Sequence, residues 1–125
     1  MKTFAFHILR VGIAITYLWI GILILKDPAG WSGYIQPWAI AIIPGSLKFA
    51  MISTGILDML IGFFLLIDRF TWIAGLLGAL HLATVLIVTG ITEITVRDIG
   101  LLTGCIALMV ESLPTSWKTK IGSKM

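Results

Sequence analysis

Charge is scarce in this sequence. Only 12% of its 125 residues are Asp, Glu, Lys or Arg, against 58% hydrophobic side chains and a mean hydropathy of +1.05. That balance lies outside the range of soluble domains and identifies an integral membrane protein. Cysteine is scarcer still: Cys105 stands alone, which excludes an intramolecular disulfide and a CxxC redox site. No P-loop, no GxGxxG and no nucleophile elbow occurs, so the phosphate-binding and acyl-transfer signatures are missing. Basic residues are in excess by three, with a sequence pI near 9.3, yet they form no stripe outside the C-terminal tail. Nucleic acid is therefore not an expected partner; membrane orientation accounts for the excess better.

Long apolar runs are what the chain does have. Four segments, 4–25, 47–67, 71–89 and 96–113, are long enough as helices to cross a bilayer of about 30 Å. The sequence thus predicts an all-α fold: one transmembrane domain over residues 1–125, an integral membrane four-helix bundle. The first segment reads as a retained span rather than a signal peptide, because Arg10 interrupts it and no small-residue cleavage site follows. Between the first two spans, Trp31, Tyr34 and Trp38 alternate with glycines and prolines. Such a stretch suits the membrane interface and predicts a structured cap with a short helix. Ser46 is placed to cap the second span, and Pro114 to stop the fourth. With four spans both termini share a side. Lys2, Arg69, Lys118, Lys120 and Lys124 outnumber Lys26, Lys48 and Arg97 five to three, which puts the termini in the cytoplasm and the cap outside, as in a plasma (inner) membrane protein.

The few polar residues inside these spans carry the functional argument. Measured from the cytoplasmic ends, Arg10 lies about 9 Å in, Asp58 about 13 Å, His81 about 15 Å and Glu111 about 3 Å. Arg10 is expected to reach Asp58 or Glu111, since pairing removes much of the cost of an intramembrane charge. Helical spacing sets His7, Arg10, Ala14, Tyr17 and Gly21 on one stripe, Met51, Thr54, Asp58 and Gly62 on a second, and Ala74, Gly78, His81 and Thr84 on a third. On the fourth span Arg97, Gly100, Gly104, Ala107 and Glu111 align as a narrow face where another helix can pack. Arg97 and Asp98 stand at the outer mouth, Asp98 in the first turn where a carboxylate complements the helix dipole. The polar layer either fixes packing, as buried ion pairs do, or lines a pocket in which Arg10, Asp58 and His81 hold the polar head of a ligand. His81 matters most in the second case, because imidazole can donate, accept and change charge near neutral pH. Its alternative is satisfaction by Asp58 or Thr84.

Haem within this chain is argued against by His7 and His81, which differ in depth by roughly 9 Å. Zinc and di-iron are argued against by the lack of clustered ligands such as Glu-x-x-His. Cys105, in an apolar helix, reads as a small packing residue.

Taken in order, Arg10 ahead of Leu18-Trp19-Ile20-Gly21, then Lys26-Asp27-Pro28 and the Trp-rich segment, then Gly55-Ile56-Leu57-Asp58, Ala79-Leu80-His81-Leu82 and Val96-Arg97-Asp98-Ile99-Gly100-Leu101-Leu102, resemble the DoxX/DoxD-like family of small four-helix membrane proteins. That resemblance covers nearly the whole chain. It implies quinone-linked redox chemistry. On that reading a partner subunit is expected, and the polar residues placed above by depth and face divide into ligand-binding, Arg10, Asp58 and His81, and a supporting network of Glu111, Arg97, Asp98 and Tyr17. Asp58 stands where the family pattern often has Glu. Two other readings stay open: a non-enzymatic accessory or assembly subunit docking another membrane protein, and a dimeric proton-coupled exporter with Asp58 as coupling carboxylate.

Overall fold

The structure is a computed structural model that describes residues 2–93 and 95–124, the last four by their backbone. Among the described residues seven helices follow one another: α1 Phe4–Lys26, α2 Pro28–Ser32, α3 Pro37–Ile42, α4 Leu47–Leu66, α5 Thr71–Thr89, α6 Arg97–Ser112 and α7 Thr115–Lys124. No strand occurs among the described residues.

Local sequence chemistry accounts for most of the boundaries. The Thr3 hydroxyl accepts the Phe6 N–H at 3.1 Å and opens α1; Ser46 does the same for Phe49 and opens α4, as expected. Asp27 accepts the Gly30 N–H at 3.1 Å and Pro28 occupies the first turn, so α2 starts immediately after α1 stops. The turn between α4 and α5 at Asp68-Arg69 is tight. Asp68 and Phe70 both adopt left-handed backbone, at φ 56° and 54°, and the Asp68 carboxylate accepts the Thr71 hydroxyl at 2.6 Å to fix the start of α5. Pro114 ends α6 as expected, but the lysine-bearing tail coils again into α7, a helix that no long apolar run announces.

α1, α4 and α5 are each long and apolar enough to cross a membrane. α6, with 16 residues and about 24 Å of length, is the shortest of the four long helices. These four pack in a ring: α1 on α4, α4 beside α5, α5 on α6, and α6 back against α1. Contact is close where glycine allows it. A Cβ on Gly62 would sit 2.8 Å from the Ala14 carbonyl oxygen, and one on Gly75 would sit 2.9 Å from the carbonyl oxygen of Cys105. Phe6, Ile13, Tyr17, Ile61, Leu65 and Leu108 fill the centre. The outer surfaces carry Ile15, Trp19, Ile56, Leu60, Leu77 and Ile87, all exposed, so the apolar side chains face both inward and outward. That distribution is compatible with hydrocarbon surroundings.

The face expected to pack on α6 is corrected. Gly100 has nothing near its missing Cβ, and Gly100 and Ala107 are exposed; the buried residues of α6 are Cys105 and Leu108, a quarter-turn away. Of the expected small-residue face only Gly104 meets another helix, where a Cβ would press on Ile13 of α1. The small residue that brings α5 and α6 together belongs to α5, at Gly75.

Candidate ligand-binding cavity

α4 begins, and α1 and α5 end, on the side of the cap formed by α2 and α3. From those ends Tyr17, Asp58 and His81 are respectively nine, eleven and eight residues in, about 12–17 Å along their axes, so three helices deliver polar groups to one level. There His81 Nε2 lies 2.9 Å from Asp58 Oδ1, with side chains only 12% and 5% exposed. Among the described residues Oδ1 accepts no directed hydrogen bond. A buried carboxylate oxygen in that condition retains capacity for a donor. The Tyr17 hydroxyl donates to the Gly78 carbonyl at 2.8 Å and touches Cys105 Sγ at 3.6 Å, locking α1 to α5 and α6.

Above this level opens a cavity of about 460 Å³. Its walls are apolar, including Ile20, Ile24, Met51, Leu82, Val85 and Leu101. Asp58 and His81 line it, Arg97 and Asp98 join from the start of α6, and Trp31, Tyr34 and Ile35 close the cap side. The roof is tethered to α5 by one backbone bond, from the Gln36 N–H to the Val88 carbonyl at 2.9 Å, while the Trp38 indole N–H donates to the Gln36 side chain at 2.7 Å.

The structure therefore brings together Tyr17, Asp58, His81, Arg97 and Asp98. It sets Arg10 and Glu111 elsewhere, and both expectations are corrected. Arg10 is buried, but its guanidinium donates to the Leu65 and Leu66 carbonyls at 2.6 and 2.8 Å and to His7 Nδ1 at 3.2 Å. Its nearest carboxylate is Asp68, at 3.8 Å, not Asp58. The cause is the end of α4: the last carbonyls of a helix lack intrahelical partners and attract a cation, and Arg10 is level with them. Glu111 is exposed and pairs with Lys118 at 3.0 Å, while its carbonyl takes a hydrogen bond from Lys2. It joins the ends of the chain, not the polar layer. Thr84 is likewise exposed and bonds its own helix at Leu80, so of Thr84 and Asp58 it is Asp58 that stands against His81.

Some lining residues escaped the sequence reading. The stripe through His81 continues toward the cap as Val85, Val88 and Thr89 rather than through Thr84, and stepping four and seven residues onward from His81 would have found Val85 and Val88. Thr16 has no such signal, being one position off the Tyr17 stripe. Among the described residues no three His, Cys, Asp or Glu side chains gather in a way that would hold a metal ion. Comparison with known proteins adds no relative: no family model, no curated protein and no solved structure matches the chain.

Proposed function

We propose that the chain is a DoxX-like, four-span protein of the inner membrane that binds a quinone or a similar lipid-soluble small molecule, serving redox metabolism beside a partner subunit. The observation that carries this reading is the cavity itself: about 460 Å³, apolar-walled, with Asp58 and His81 in contact at its inner end. Its volume falls within the range of small-molecule sites, about 300–1,000 Å³, and few convergent polar groups on an apolar wall is the composition such sites share. The residues fit the ligand class. Asp58 Oδ1 offers a buried acceptor, and the imidazole beside it can hold or pass a proton at Nε2. A quinone, when bound, would supply the two-electron chemistry; the chain supplies an apolar slot, a fixed polar end and a roof against water.

In this reading α6 is the fourth span. With Val96 and Leu113 it reaches 18 residues, about 27 Å, and its end charges Arg97 and Glu111 lie near opposite membrane surfaces. The termini are cytoplasmic and the aromatic roof is outside, following the distribution of Lys and Arg.

The test is equilibrium binding of a short-tailed benzoquinone to the purified protein in lipid nanodiscs. Saturable binding is expected, weakened tenfold or more in His81→Ala and in Asp58→Asn. Unchanged affinity in both variants, each still folded, removes the site. A second reading, a non-enzymatic subunit docking another membrane protein, is favoured by the exposed Gly100 and Ala107 on α6. Stable co-purification with a membrane partner, in protein that binds no quinone, would select it.

A further inference from the structure

The polar groups around the cavity are not a balanced set of donors and acceptors. Five hydroxyls line it on α1, α4, α5 and the α5–α6 loop, and every one already donates to a backbone carbonyl. Thr16 donates to Gly12 at 2.9 Å, Tyr17 to Gly78 at 2.8 Å, Thr54 to Ala50 at 3.0 Å, Thr89 to Val85 at 2.7 Å and Thr95 to Gly90 at 2.6 Å. A hydroxyl has one proton, so what these groups still offer is lone pairs. Asp58 and Asp98, when ionised, offer lone pairs only, and Asp58 Oδ1 is buried without a directed hydrogen bond among the described residues. His81 turns Nε2 to Asp58 at 2.9 Å; in the neutral ring protonated there, Nδ1 is one more acceptor. Apart from the His81 N–H held against Asp58, the side-chain donors that line the cavity sit at its cap side: Trp31, Tyr34 and Arg97. Arg97 also offsets the charge of its neighbour Asp98, so nothing in the charge count alone calls for a cation.

From this asymmetry, and resting on the quinone reading above, we infer that the cavity selects the ligand's hydrogen-bond-donating form: a hydroxylated ring, the quinol, seated with an O–H on Asp58 and its acceptor substituents toward Trp31, Tyr34 and Arg97. An oxidised ring presents carbonyl oxygens to carboxylate and hydroxyl oxygens, and acceptor facing acceptor leaves buried lone pairs unfilled.

The experiment measures anaerobic binding of three probes to the intact protein in nanodiscs: a short-tailed benzoquinol, the matching benzoquinone and the dimethyl ether of the quinol. The quinol is expected to bind about tenfold or more tightly than either other probe, because only it can donate. Asp58→Asn puts an amide donor where an acceptor stood. It is expected to bring the quinol-to-quinone ratio to within about threefold of one. Asp98→Asn serves as the second variant should Asp58→Asn fail to fold, and it is expected to reduce the same ratio. Quinone or ether binding within twofold of quinol to the unaltered protein overturns the donor rule while leaving a quinone site intact. A preference that survives in both variants overturns the assignment to these carboxylates. Saturable binding by none of the three probes overturns the inference and the quinone reading together.

Discussion

His81 and Asp58 face each other at 2.9 Å across the α4–α5 interface, with little of either side chain exposed. The pair stands at the inner end of a large space between the long helices, so its two members bear both on stability and on what the cavity can hold.

Removing one partner is expected to cost more than removing both. His81→Ala leaves a buried carboxylate without its neighbour and should destabilise the protein by about 1–3 kcal/mol. Replacing both residues with leucine removes the desolvation problem along with the contact, and should cost less than that single change. A double-mutant cycle by unfolding in mixed micelles measures the coupling.

Arg10 should matter to the fold and not to the ligand. Arg10→Lys loses the planar guanidinium that sets Nη1 on the Leu65 and Leu66 carbonyls and Nε on His7 together, and is expected to cost about 1.5–3 kcal/mol. Since Arg10 does not line the cavity, quinol affinity of the folded variant should stay within twofold of the parent. Thermal unfolding and binding titration on one preparation separate the two effects.

Two kinds of glycine are distinguishable by alanine. Gly75→Ala meets backbone atoms of Cys105 and Met109 at 2.9 and 3.0 Å and has to push α5 from α6, at a cost of about 1–3 kcal/mol. Gly12→Ala meets nothing and replaces a poor helix former on an exposed face, so it should be neutral or stabilising by up to about 1 kcal/mol. Melting temperatures of the two variants should move in opposite directions or differ by several degrees.

Cys105 is fully buried against Tyr17, so the native protein should resist maleimide until it unfolds. That silent background permits a topology experiment. Ser32→Cys, in the cap, should label with an impermeant maleimide from outside intact cells, and Ser116→Cys only after lysis. Labelling of both from one side would overturn the proposed orientation.

The parts of this molecule legible in sequence were those with a one-dimensional signature. Hydrophobic runs placed α1, α4 and α5 to within a residue at each end, and the Ser46 cap announced itself by residue type and position. The level shared by Asp58 and His81 followed from counting rise per residue. Partner choice did not follow. Arg10 had carboxylates within nominal reach, and what it bonds are carbonyl oxygens, which every residue carries and no sequence pattern marks. Glu111 was misassigned because the tail was not read as α7, whose Lys118 takes its carboxylate. The small-residue face of α6 failed for a related reason: spacing shows that a face is narrow, but not whether a neighbour occupies it.

The roof of the cavity is fastened to α5 by a main-chain bond, Gln36 N–H to Val88 carbonyl. A tether of that kind is indifferent to side-chain identity: among the twenty residues only proline at position 36 lacks the proton that makes it. Trp31, Tyr34 and Ile35 can therefore be exchanged for larger or smaller side chains while the segment stays fastened. The cap becomes a place where the size of the accepted molecule can be retuned without rebuilding the helices beneath.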